Sequence, residues 1–282
     1  MLSRLIDVLS YPGSLRARLV AGLIRDSQSL PLDFLIRRSA MRRPNYGYCL
    51  LHAARLARRL GMDRISALEF GVAGGNGLVE MEQIADRVKR ETGVSIDCYG
   101  FDMGEGLPPI ADEYDLPYWW QQGFYRMDQD ALRGRLKGAT LVLGNVSETV
   151  SGFCAEHDPA PIGAISFDLD YYSSTMDAFR LFEADSRFFL PRLYCYMDDV
   201  LGDEWEMYGD GMGVLKAIHD FNAAHPRKQM MLNTNLVSRT TQPMQRWHHQ
   251  IYYLHDFDHP RYRDYVGGED QAGSLDDLQL KG

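Results

Sequence analysis

Residues 164–179 read "AISFDLDYYSSTMDAF". The apolar run that begins at Ile162 stops on Asp168 and Asp170, and an amphipathic pattern follows over "STMDAFRLFEADSRFF" (174–189). A short apolar run passing at once into a helix is how a buried parallel strand feeds its crossover. Further on, "LYCYMDDV" (193–200) ends on Asp198 and Asp199, ahead of the helical pattern "GVLKAIHDFNAAH" (213–225). The same alternation runs backwards through "ATLVLGN" (139–145), "SIDCYGFD" (95–102) and "ISALEFG" (65–71). The last of these leads into a helix with Leu78, Met81, Ile84, Ala85 and Val88 on one face. Strand and helix in alternation predict an α/β fold: a doubly wound, mostly parallel sheet covered on both faces. The end differs. "QMMLNTNLVSR" (229–239) and "HHQIYYLHDF" (248–257) are strand-like with no helix between them, so an antiparallel pair at one sheet edge is expected.

Composition sets the class. A chain of 282 residues, 45% hydrophobic, is long enough for a large core, and its net charge of −9 argues against nucleic acid as a partner. Cys49, Cys98, Cys154 and Cys195 lie far apart, which suits a reducing, cytoplasmic setting better than a disulfide framework. Arginines interrupt every apolar run near the N-terminus, so neither a signal peptide nor a membrane span is read there. Residues 1–60 hold 11 Arg and 3 acids, net +8 against −17 for the rest. Helical spacing at Leu2, Leu5, Ile6 and Leu9, and at Leu50, Ala53, Ala57 and Leu60, predicts packing helices with arginines in water. A membrane-surface helix is the alternative. The expected organisation is an N-terminal helical extension (1–60), one domain (61–266) and a loose polar tail (267–282). The apolar stripes allow a homodimer through the N-terminal helices.

Ligands of such sheets bind outside the carboxyl ends of the strands, where strand order reverses. "LEFGVAGGNG" places Glu69 at such an end and Gly71, Gly74, Gly75 and Gly77 in the turn to the next helix. These glycines let backbone approach a ligand, yet no GxGxxG fingerprint can be read, which excludes the usual nicotinamide motif. "YGFDMGEGLP" puts Asp102 at the end of the next strand, where a carboxylate can accept both hydroxyl protons of a ribose.

In order, "EFGVAGGNG", "YGFDMGEGLP", "LVLGNVSET", "FDLDYYSST" and "YMDD" resemble the motifs of class I S-adenosylmethionine-dependent methyltransferases, and specifically the macrocin-type sugar O-methyltransferases of antibiotic pathways. The resemblance spans about residues 65–225. It implies a Rossmann-like methyltransferase fold, with Glu69 and Gly71 at the methionine end of the cofactor and Asp102 on its ribose. Gly74, Gly75, Met103 and Asn145, within the same motifs, complete the implied cofactor-binding set. Asp168, Asp198 and Asp199 are the implied Mg²⁺ ligands, the acceptor is a small molecule, and Asp168 is the expected proton acceptor. Neighbouring strands lie about 4.8 Å apart, so acids at two adjacent tips can converge, and oxygen-only ligation suits Mg²⁺.

Asp170 is read as orienting the loop or capping the helix, and Ser174 with Asp177 as a capping box. The aromatic stretch 113–128 is either a lid over the acceptor or packing. His248 and His249 in a strand would face opposite ways, and with His255, His219 and His225 are read as ordinary polar positions. Two other readings compete: a metal-dependent glycosyltransferase using Asp168 and Asp170 as a DxD motif, and a non-catalytic module that keeps the fold.

Overall fold

The computed structural model describes residues 19, 21–238 and 245–267. In chain order its elements are α1 (Leu32–Arg37), α2 (Pro44–Arg59), β1 (Arg64–Phe70), α3 (Asn76–Thr92), β2 (Ser95–Asp102), α4 (Gln129–Arg133), β3 (Thr140–Leu143), α5 (Val146–His157), β4 (Ile162–Phe167), α6 (Tyr172–Phe179), β5 (Phe189–Met197), α7 (Gly213–Ala224), β6 (Lys228–Leu232), α8 (Thr234–Val237) and β7 (Ile251–Asp256). The seven strands form one sheet in the order β3-β2-β1-β4-β5-β7-β6. β1 to β5 are parallel, and β7 runs antiparallel to both β5 and β6. The doubly wound sheet and its antiparallel edge are therefore as the patterning predicts.

The alternation of side chains along β1 divides two cores. Ile65 and Ala67 face a layer built with Tyr46, Leu50, Met81, Ile84 and Val88 of α2 and α3. Leu68 and Phe70 face the other layer, with Phe153, Phe179 and Phe221 of α5, α6 and α7. There Phe70 stacks between Phe101 and Phe167, at centroid distances of 4.6 and 5.3 Å. All six residues of β4 are buried, which is why it reads as a continuous apolar run. The Leu50, Ala53, Ala57 and Leu60 stripe packs on the sheet, so α2 forms part of its covering layer. Leu2, Leu5, Ile6 and Leu9, and the tail from 268, lie outside the described residues. Among the described residues no helix is long and apolar enough to cross a membrane.

Several local expectations are corrected. The helix read over 174–189 ends at Phe179 and continues as 3-10 turns, and Phe189 already opens β5. Asp185, whose side chain accepts the Arg187 N–H, caps the last of these turns. The run 229–239 is a strand only to Leu232, because the Asn233 side chain accepts the Leu236 N–H and starts α8. His248 and His249 stand in a 3-10 turn (Arg246–His249), not in β7. Ser174 and Asp177 form no capping box: α6 has no cap from its own N-cap residue, Tyr171. Its first turn is held from outside by the fully buried Asp115, which accepts the Ser173 N–H and the Ser173 hydroxyl, both at 2.8 Å.

Candidate functional site

Strand order reverses between β1 and β4, and there a cavity of about 490 Å³ opens at the strand ends. Glu69, Gly71, Gly74, Gly75, Asp102, Met103, Asn145, Asp168, Asp198 and Asp199 all line it. Register explains the convergence. Phe70 pairs with both Phe101 and Phe167, and Phe167 pairs with Met197, so Asp102, Asp168 and Asp198 each come one residue past an aligned row.

Glu69 is 2% exposed. Its Oε1 accepts the Tyr46 hydroxyl at 2.6 Å, and Tyr46 in turn accepts from Ser166 at 3.0 Å. Its Oε2 has no hydrogen-bond partner among the described residues. Two glycines make this packing feasible. A Cβ on Gly77 would sit 1.8 Å from Glu69 Oε1, and one on Gly71 would sit 1.7 Å from the Asp168 carbonyl oxygen, at a φ of +84°. Gly74 is different: a Cβ there would meet nothing within 4 Å. Asp102 Oδ2 accepts the N–H groups of Val72 and Ala73, at 2.9 and 2.8 Å, and Oδ1 accepts that of Gly104 at 2.6 Å. Of about four acceptor directions on a carboxylate, that leaves one for a further donor, where the sequence reading expects two. Asn145 caps α5 through the Ser147 N–H.

One oxygen from each of Asp168, Asp198 and Asp199 can be chosen so that all lie within 4.8 Å of one another. Asp198 Oδ1 accepts from the Tyr196 hydroxyl, and Asp199 Oδ2 accepts the Asp170 N–H at 2.9 Å. Asp170 sits at φ +61°, 7% exposed, lines the cavity, and receives no hydrogen bond on its carboxylate from the described residues. It does not cap α6, but it stands in the loop before that helix and ties the loop to Asp199 through its N–H. Burial, then the charges of the neighbouring acids, pushes the carboxyls of Asp168, Asp170 and Asp199 well above their ordinary range. Burial likewise raises Glu69 from 4.5 to about 7.

Those shifts set a pH dependence. A raised carboxyl is favoured neutral in the fold, so its stabilisation is complete below about pH 4.5 and is lost as pH rises through about 7. At about 1.4 kcal/mol per unit, Glu69 alone withdraws on the order of 3 kcal/mol across that window, and the three aspartates act in the same direction. The ligand-free protein is expected to melt at a lower temperature at pH 8 than at pH 5.5, with Glu69→Gln flattening the dependence. A calorimetric melting temperature that rises with pH would contradict this.

Sequence reading missed several cavity residues. Arg43, read among arginines in water, lines the cavity and lies over the Tyr46 ring, 4.9 Å from its centroid. Glu206 and Arg246 line it as well, and no local pattern distinguishes either from a surface charge. Of the aromatic stretch, Leu116 and Trp120 are buried while Trp120 and Tyr125 line the cavity, so the segment both packs and faces the site. Tyr118 and Phe124 remain exposed, and the Tyr118 hydroxyl donates to the Glu206 carbonyl at 2.8 Å, tying this loop to the one after β5.

Fold and site together define a doubly wound α/β protein whose strand ends carry a glycine turn, two isolated acids and a cluster of three. No protein-family profile matches the chain, and no curated protein matches it. Similar solved structures include the calicheamicin methyltransferase CalS11, at 20% identity over 86% of this chain and 93% of that one, with a TM-score of 0.49. The O-methyltransferase NovP is 13% identical over 75% of this chain and 79% of its own, also at 0.49. MycE, from the mycinamycin pathway and solved with Mg and S-adenosylhomocysteine, is 11% identical over 81% and 55%, at 0.37.

Proposed function

We propose that this protein is an S-adenosylmethionine-dependent, Mg²⁺-dependent O-methyltransferase acting on a hydroxyl of a small, sugar-containing or polyol molecule. The observation that carries the reading is the convergence, in one cavity, of Glu69, Asp102 and the cluster Asp168, Asp198 and Asp199.

The residues fit the cofactor. Glu69 Oε2, buried and without a partner, suits a donor such as an ammonium group, and the open space over Gly74 admits a ligand against the backbone. Asp102 keeps one acceptor direction for a ribose hydroxyl. They also fit a hard cation: three carboxylates meet, and among the described residues neither Cys nor His lines the cavity to recruit a softer metal. Mg²⁺ bound by these three acids would neutralise their mutual repulsion and lower the pKa of a hydroxyl brought to it. S-adenosylmethionine supplies an electrophilic methyl group.

The chain's own work is then positioning and proton removal. Trp120 and Tyr125 line the cavity and give it an apolar, aromatic wall. Asp168 is the proton acceptor read from sequence, but an acid that holds a cation is a weak base. Asp170, beside the cluster with a free carboxylate, is better placed to take the acceptor's hydroxyl proton. The glycosyltransferase reading gives Glu69, the glycine turn and Asp102 no task.

Calorimetric titration with S-adenosylhomocysteine, with and without Mg²⁺, tests the proposal. We expect micromolar binding that Asp102→Ala weakens by about tenfold or more, since the variant loses a charged acceptor and frees the Val72 and Ala73 amides. Failure to bind under every condition, with binding of a nucleotide sugar and Mn²⁺ in its place, would transfer the protein to the glycosyltransferases.

A further inference from the structure

We infer that Arg43 is the residue that reads the carboxylate of the cofactor's methionine half; this rests on the cofactor reading above. Among the described residues, seven acids line the cavity (Glu69, Asp102, Asp168, Asp170, Asp198, Asp199, Glu206), against two cations, Arg43 and Arg246. A zwitterionic amino-acid moiety entering such a space finds acceptors for its ammonium readily. Its carboxylate is repelled unless a cation meets it.

Placement selects Arg43. Arg246 donates to the Leu201 carbonyl, in the loop that follows Asp198 and Asp199. Arg43 stands at the N-terminal end of α2, half-buried over the Tyr46 ring, and the Tyr46 hydroxyl is the one that binds Glu69. It therefore belongs to the Glu69 end of the cavity, where the ammonium-type acceptor is. Among the described residues its guanidinium makes no ion pair and no hydrogen bond, so its five N–H donors are available in the fork that matches a carboxylate. Glu69 and Arg43 thus form a complementary pair of opposite sign, joined through Tyr46.

Three ligands titrated into the full-length protein separate this role from a structural one. S-adenosylhomocysteine carries both charges of the amino-acid half, decarboxylated S-adenosylhomocysteine lacks the carboxylate alone, and 5′-methylthioadenosine lacks the whole amino-acid half. Arg43→Ala is expected to weaken S-adenosylhomocysteine by about 10- to 100-fold, the range for a charge-assisted hydrogen bond. Affinity for the other two should change by no more than about twofold, and Arg43→Lys should recover part of the loss. An equal loss for all three ligands, or none for any, would overturn the assignment. If the unaltered protein binds S-adenosylhomocysteine and Arg43→Ala binds it equally well, Arg43 fails while the methyltransferase reading stands; if the unaltered protein binds none of the three, both fall.

Discussion

Asp170→Asn is expected to slow methyl transfer by about 10²- to 10⁴-fold, the usual contribution of a positioned general base, while leaving S-adenosylhomocysteine and Mg²⁺ affinity within about threefold. The substitution is nearly isosteric. Asn tolerates the left-handed backbone that Asp170 adopts at φ +61°, and the Asp170 N–H that donates to Asp199 is untouched. What is lost is an acid that lines the cavity outside the three-oxygen cluster and whose carboxylate takes no hydrogen bond from the described residues. Asp168→Asn should behave differently, losing rate and Mg²⁺ affinity together, because it removes a charge from the cluster itself. Transfer of labelled methyl from S-adenosylmethionine to an acceptor found among glycosides, polyols and phenols gives the rates, and calorimetry gives the affinities. A near-normal rate for Asp170→Asn, with a rate lost and metal retained in Asp168→Asn, would return the proton to Asp168.

Gly71→Ala should be the most disruptive single methyl in the site. The added Cβ would lie 1.7 Å from the Asp168 carbonyl oxygen, and the φ of +84° is itself unfavourable to any side chain. Neither strand end can retreat easily: the Gly71 N–H donates to the Phe101 carbonyl and the Asp168 N–H to the Phe70 carbonyl, both at 2.9 Å. Overpacking plus backbone strain should cost about 3 kcal/mol or more, a fall in melting temperature of roughly 6–12 °C for a chain of this size. Because the clash pushes on Asp168, Mg²⁺ affinity should fall as well. Gly74→Ala, where a Cβ meets nothing, is the control expected to melt within about 2 °C of the parent. Equal melting of Gly71→Ala and Gly74→Ala would refute the steric argument.

The sequence by itself determined the sheet and the positions of its acids. Continuous apolar runs such as β4, bounded by Asp168 and followed by a helical pattern, have one economical solution, and side-chain alternation along β1 already sends Glu69 to the face of Ala67. Local hydrogen-bonding competition was less legible: the 3-10 turn after Asp185 and the turn at Asn233 depend on single side chains winning a backbone N–H. Tertiary structure alone decided the rest, because it joins residues that no periodicity relates. Asp115 replaces the local cap of α6 from 58 residues away, Tyr46 reaches Glu69 from α2, and Arg43 turns from an apparent surface charge into a cavity cation. Asp170 is the sharpest instance: its spacing suggests a residue that orients the loop or caps the helix, and only the packing of the loop against Asp199 sets it on the cavity. Patterns of burial are written along the chain, whereas the charge balance of a cavity is a sum over distant segments and exists only once they meet.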